Sequence, residues 1–587
     1  MLTDAFVEET VRKTKLVPDD ALTSSQATAH TQGRPLAEVL ITKKLVGEQP
    51  LYDALAAALG VSFVDLHDRE IPPDTLAIIS VGLAMNRHIV AYETTEDGIR
   101  VAMEDPDDLD TIELLRRATG KTIIPALATS TGIMEATRAY HADVAATVQS
   151  LAELSIQPDT SLQATNGRDL HELAEEAPIV RIVEMLLQHA MSRQASDIHI
   201  EPTERGVDVR YRIDGILRST TTLPRTVAPG LVARIKVLAN LKIDEHRLPQ
   251  DGRFNASTPN EHVAVRVSIM PVYDGEKVVL RILRESGKAV TVVDLGLRQQ
   301  ALGDAAPLAV VERNMRKPHG IIFVTGPTGS GKTTTLYAIL NALNKPGVNI
   351  ATIEDPIEYR IPGINQTQVQ PRIGLTFATG LRSLLRQDPN VIMVGEIRDA
   401  ETADIAVNAA LTGHLVFATL HTNDAATSLT RLQEMGVPTF LIASTINCII
   451  AQRLVRRLCE PCRAHGRIPE ELRTELQELH GAALDDMLRR ITARTGSTKH
   501  PATLTELDAW QRTTCAACVD GYRGRVGIFE VLEVSPAIAA RIHARANRDE
   551  IHALAVAEGM ATMFVDGMLK AVDGVTTVEE VLRVTRE

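Results

Sequence analysis

The stretch that most restricts this chain begins with Ile321-Ile-Phe-Val-Thr325, passes through Gly326-Pro-Thr-Gly-Ser-Gly-Lys-Thr333 and enters a helical segment from Thr334 to Leu343. An apolar strand feeding a helix through a tight glycine turn is one half of a strand–helix–strand unit, so an α/β domain with a parallel sheet is expected from about residue 300. The octet fits GxxxxGK[ST]. Its glycines, Gly326, Gly329 and Gly331, let backbone N–H groups curl around a phosphate, with Pro327, Thr328, Ser330 and Thr334 completing the turn and the helix start. The helix N-terminus adds positive field, Lys332 reaches the β/γ-phosphates, and the Thr333 hydroxyl ligates Mg²⁺. A nucleoside triphosphate is the ligand these residues predict.

A chain of 587 residues predicts about three or four domains, each with its own core. Aromatic residues supply only 3%, so those cores must be aliphatic. A net charge of −13 argues against a protein that mainly grips nucleic-acid backbones, since non-specific affinity needs surplus Lys and Arg; a local basic groove stays open. The N-terminal residues have neither the basic nor the apolar region of a secretory signal, which predicts a cytoplasmic protein. The longest apolar run, 441–455, is broken by Ser444, Thr445, Asn447 and Gln452, so membrane association is expected only through partners.

Residues 1–145 read as a small mixed α/β region, with helical spacing in Leu36, Val39, Leu40 and in Leu51, Leu55, Leu59, and a short strand at 99–103. A polar linker, partly helical, is expected over 146–177. A helix follows over 178–193, with Pro178 in its first turn and Ile179, Ile182, Val183, Leu186 and Leu187 on one face. Alternating runs at 197–200, 207–213, 263–269 and 277–283 predict a second domain, 178–290, built as a sheet with one or two covering helices.

Asn390-Val-Ile-Met-Val394 reads as another buried strand, ending in Gly395-Glu396. A carboxylate at such a tip orients Mg²⁺ or polarises the attacking water, and Glu396 is the leading catalytic candidate. Thr352-Ile-Glu354-Asp355-Pro-Ile-Glu358 sets three carboxylates within five positions. Glu354 is read as a ligand of the hydrated metal and Glu358 as part of the catalytic set, the alternative being a solvated turn. His414 and His421 flank a further apolar strand, and one of them, His421 by preference, is a candidate γ-phosphate sensor.

Cys459-Glu-Pro-Cys462 and Cys515-Ala-Ala-Cys518 have the CxxC…CxxC pattern of a closed tetrahedral Zn²⁺ site. Cys448 is expected in an apolar helix as plain core.

GPTGSGKTTT, TIEDPIE, LRSLLRQDPNVIMVGEIRD and GHLVFATLHTNDA, in that order, resemble the GspE/PilB family of type II secretion and type IV pilus assembly ATPases. The likeness continues upstream in ASDIHIEP, VRYRIDG and LPQDGRF. It implies a RecA-like ATPase core at 300–587 with a tetracysteine subdomain at 455–525, a PAS-like second domain, and an N-terminal regulatory or platform-docking α/β domain. It also implies ATP as substrate, a homo-hexamer, and an inner-membrane platform protein as partner, with the motor on the inner face of the cytoplasmic membrane. Arg266 and Arg281, and Arg382 and Arg386, are implied to approach the phosphates, with Arg210 and Arg212 as weaker candidates; structural ion pairs are the alternative. The interval 463–514 is longer than the resemblance leads one to expect. Some relatives bind cyclic di-GMP through an Arg-Leu-Gly motif and a later Gln; here Gly33-Arg-Pro-Leu-Ala37 and Ala56-Ala-Ala-Leu-Gly60 stand in those places, leaving Arg34 as the candidate contact. Pilus assembly is the preferred role, type II secretion the alternative, and a nucleic-acid-translocating ATPase a third reading.

Overall fold

The computed structural model describes residues 4–136 apart from 33–35, 44, 134, 135 and scattered positions between 68 and 96. It further describes 170–284 without 259 and 260, 290–479 without 300–305, Leu484, Leu488, and 508–586 without 516 and 517. The chain divides into two units, Met1–Arg284 and Glu285–Glu587.

In the first unit, helices Asp4–Thr14, Asp19–Gln32, Leu36–Thr42 and Glu48–Leu59 bury Val7, Val11, Leu22, Leu40, Leu51 and Leu55 against one another. A four-stranded sheet follows, ordered Ser62–Phe63, Ile123–Leu127, Gly98–Met103, Ile89–Thr95, with a second aliphatic core. Most of the expected linker lies outside the described residues; its end forms the helix Leu170–Glu175.

The helix Ala177–Ser192 carries Pro178 in its first turn and buries Ile179, Ile182, Val183, Leu186 and Leu187, the predicted face. With Ala228–Leu238 it packs on a six-stranded antiparallel sheet, ordered Ile216–Leu223, Val207–Ile213, Asp197–Pro202, Gly275–Arg284, Glu261–Val272, Gln250–Thr258. The two outer strands escaped the sequence reading because edge strands need no continuous apolar face, and ILRSTTTL and QDGRFNAST are largely polar. The first had a signal nevertheless: Asp214-Gly215, at φ 48° and 87°, is the two-residue hairpin turn that favours Asp-Gly.

The second unit is built on a seven-stranded sheet ordered Asn365–Gln368, Ile350–Glu354, Val391–Val394, Leu415–Leu420, Gly320–Thr325, Ile446–Leu458, Tyr522–Glu533. All neighbours are parallel except the last pair. Ile321 and Phe323 enter the core on one face and Ile322 and Val324 that on the other, so the strand is apolar throughout. Cys448 corrects the sequence reading: it lies in the strand Ile446–Leu458, not in a helix, although it is fully buried as expected. The β-branched run Ile446, Ile449, Ile450 favours strand over helix there.

Candidate nucleotide site and cysteine cluster

Parallel pairing brings the C-terminal ends of these strands to one edge. Thr325 pairs with Leu420 and Val394 with Ala418, so Gly326, Glu396 and His421 emerge side by side. At Gly326, φ 145°, an added Cβ would lie 2.4 Å from the Gln452 carbonyl oxygen, which only glycine avoids. The loop closes at Gly331, the left-handed N-cap of the helix Lys332–Leu343, whose positive end faces the loop. Lys332 Nζ donates to the carbonyls of Gly326 at 2.8 Å and Pro327 at 3.1 Å. Burial lowers its pKa and the Glu396 carboxylate partly restores it, so the two groups share one field. Thr333 is partly exposed and Thr334 exposed in the first helical turn.

Glu396 is 8% exposed; its Oε2 lies 2.7 Å from Arg398 Nε and 3.4 Å from His421 Nε2. Arg398 was not singled out from sequence, although GEIRD places it two residues past the carboxylate. Of the two histidines, only His421 joins the site. His414 sits at the other end of its strand, where Nδ1–H donates to the Ala409 carbonyl at 2.9 Å.

Glu354 lies at a neighbouring strand tip, but protein donors occupy it. Tyr337 O–H donates to Oε2, while Thr352 Oγ1 at 2.6 Å and Gln366 Nε2 at 3.2 Å donate to Oε1. A carboxylate has about four acceptor positions, so little remains for a metal and the expected Mg²⁺ contact would run through water. Glu358 sits beside this cluster, its backbone N–H 3.4 Å from the Tyr337 hydroxyl.

The arginines fall into two groups. Arg382 Nη2 donates to Glu401 Oε1 at 2.7 Å and Arg386 Nη2 to Ser383 Oγ at 3.3 Å, both from exposed positions at the helix Phe377–Leu384 and just beyond it. In the first unit the sheet register aligns Arg212, Asp197, Arg281, Arg266 and Arg253 in one row across five strands. Arg281 Nε donates to Asp197 Oδ1 at 2.9 Å, and Arg212 approaches the other oxygen at 3.6 Å. Arg210 pairs instead with Glu201 at 2.5 Å. These mid-strand arginines project from the sheet face opposite its apolar core, so they escape the burial penalty expected for charges inside a strand. Adjacent like charges cost stability, so the side-by-side guanidiniums of Arg281, Arg266 and Arg253 make this face strongly basic. Arg253 was missed because its strand was.

The CxxC pairs follow and precede the antiparallel strands Ile446–Leu458 and Tyr522–Glu533, and Leu458 opposite Tyr522 brings them together. Four sulfurs bound tetrahedrally at about 2.3 Å stand about 3.8 Å apart. Here Sγ of Cys459 and Cys515, Cys462 and Cys518, and Cys515 and Cys518 are each 3.7 Å apart, so the donor set fits Zn²⁺. Within the long interval that follows, Ala464–Arg467 pairs with Asp508–Gln511, and Ile468, Leu476, Leu484 and Leu488 pack against Met568, Val581 and Leu582.

A phosphate loop whose lysine shares its field with a carboxylate at the next strand tips serves phosphoryl transfer, and the chain is a P-loop ATPase. Residues 172–583 match the family model described as Type II/IV secretion system protein, and the chain belongs to that family. Residues 59–146 match the MshEN domain. Over 578 residues the chain is 36% identical to the type IV pilus assembly ATPase PilB of Myxococcus xanthus, covering 98% of each chain. It is 38% identical over 589 residues to the type II secretion system protein E of Xanthomonas campestris pv. campestris, covering 99% of this chain and 98% of that one. The solved ATPase DotB of Legionella pneumophila is similar at 23% identity and a TM-score of 0.48, covering 69% of this chain and 95% of that one.

Proposed function

We propose that this chain is the subunit of a homo-hexameric motor that hydrolyses ATP to power type IV pilus assembly through an inner-membrane platform protein. The observation that carries the ATP chemistry is the alignment of Gly326, Glu396 and His421 at one sheet edge. In this reading Lys332 holds the β/γ-phosphates, and Thr333 and Glu396 hold hydrated Mg²⁺, with Glu354 acting through water. Mg²⁺ supplies charge neutralisation on the β/γ oxygens. Glu396 also accepts the hydrogen bond that orients the attacking water; Arg398 and His421 fix its carboxylate in place. Arg266 and Arg281 supply guanidinium charge in the assembled ring, as do Arg382 and Arg386 once their intrachain partners release them, and Glu358 lies at the margin of the catalytic set. Cys459, Cys462, Cys515 and Cys518 hold Zn²⁺ as a closed structural site.

The similarity to PilB along nearly the whole chain supports the pilus reading, and an equally long similarity to protein E supports the second, type II secretion. Among the described residues no helix is long and apolar enough to cross a membrane, which supports attachment at the inner face through the platform partner. The negative charge speaks against direct nucleic-acid contact. Arg34, the candidate for cyclic di-GMP, lies outside the described residues; Ala56 is buried in the helix Glu48–Leu59.

The test is Glu396→Gln in the native host, followed by imaging of surface filaments and comparison of proteins in the medium. Loss of filaments with an unchanged exoprotein profile is expected. Retained filaments with exoproteins trapped in the cell would favour the secretion motor, and no change in either would overturn both.

A further inference from the structure

One of the four polar residues that break the apolar run 441–455, Gln452, has a place in the site. Gln452 is 2% exposed on the strand Ile446–Leu458, which lies directly beside the P-loop strand. Its side chain bridges two parts of the loop. Nε2 donates to the Ser330 carbonyl at 2.7 Å, and Oε1 accepts from Thr335 Oγ1 at 2.7 Å, one turn into the helix. Its own backbone carbonyl lies where a Cβ on Gly326 would have to go.

We propose that Gln452 is a positioning residue that sets the direction of a phosphate-binding N–H group. In a trans peptide the C=O and N–H point in opposite directions. Pinning the Ser330 carbonyl against the neighbouring strand therefore turns the Gly331 N–H away from that strand, into the hollow of the loop. The pin is needed because of the glycine. Gly331 sits at φ 89°, and a peptide preceding a glycine rotates with little steric resistance, so without Gln452 the Ser330–Gly331 unit has a second orientation that presents a carbonyl oxygen to the phosphates. That orientation repels the anion. Thr335 Oγ1 only satisfies the remaining amide oxygen; the Ser330 carbonyl can accept but not donate, so that contact by itself requires the Gln452 nitrogen to face it.

The inference rests on the P-loop reading, and nucleotide binding by the unaltered chain tests that separately. The experiment is calorimetric titration of full-length protein with ATP and Mg²⁺, together with steady-state hydrolysis. Gln452→Leu is expected to weaken binding and raise KM by ten- to a hundredfold, with kcat at saturation changed by less than about threefold, because the N–H is required in ground and transition states alike. Thr335→Val leaves the Ser330 pin in place and is expected to bind within about threefold of the unaltered chain. If Gln452→Leu does not fold, Gln452→Glu keeps the shape and the Thr335 bond; its carboxylate cannot donate to Ser330, whereas its protonated form can. Its affinity, divided by that of the unaltered chain, should then rise as the pH falls. Binding within twofold of normal in a folded Gln452 variant, or an equal loss in Thr335→Val, would overturn the proposal. Failure of the unaltered chain to bind ATP would instead overturn the P-loop reading.

Discussion

Glu530 offers a quantitative test of how the site edge is held. It is 3% exposed on the strand Tyr522–Glu533, where its Oε1 accepts the Ala425 N–H at 3.0 Å and the Met563 N–H also favours its charged form. Ala425 opens the helix Ala425–Glu434, so this carboxyl ties a helix start just past His421 to the sheet. Burial outweighs these donors, and the neighbouring Asp424 adds to it, pushing the Glu530 carboxyl from 4.5 up to about 7. The folded chain thus holds this proton more tightly than the unfolded chain. The group is neutral in both states below about pH 4.5; as pH rises the unfolded chain ionises first, and stability falls until both are ionised above about pH 7. The full loss is about 3 kcal/mol, of which about 2 kcal/mol falls between about pH 5.5 and pH 8, where ordinary carboxylates are already ionised. Urea unfolding at the two pH values, followed by circular dichroism, would measure it. Glu530→Gln keeps an oxygen for the Ala425 N–H and is expected to remove that difference, because an amide does not titrate in this range. A variant with the same pH dependence as the unaltered chain would refute the reasoning.

Tyr337→Phe removes the hydroxyl that donates to the buried Glu354 and accepts from Gln366 Nε2 at 3.3 Å, so a loss of about 2 to 3 kcal/mol in urea unfolding is expected and one below about 0.5 kcal/mol would contradict the network. Cys515→Ser, or a strong chelator, should release a stoichiometric zinc detectable by elemental analysis and lower stability by more than about 2 kcal/mol, since metal-binding free energy is largely folding free energy. The chain's single tryptophan, Trp510, stacks on Arg463 near the cluster and should change its fluorescence on metal loss; a metal-free chain of unchanged stability would count against the site.

The amino-acid sequence alone determined the chemistry that is local along the chain. Apolar strand, glycine loop and helix are consecutive, so 321–343 announces both a parallel sheet and a phosphate site, and two CxxC pairs announce a metal because each knuckle is short. The helix at Ala177–Ser192 was legible for the same reason: its buried face repeats within a few residues. Tertiary structure decided what depends on which strands lie side by side. Gln452 meets Ser330 across 122 positions, and Ala425 meets Glu530 across 105. Periodicity carries no record of such pairings; it showed Gln452 only as a polar break in an apolar run. The same holds for the arginine row, which exists because four separate strand pairings align one residue from each strand. It holds too for His421 over His414: both flank one strand, and only the direction of that strand in a parallel sheet puts His421 beside Glu396.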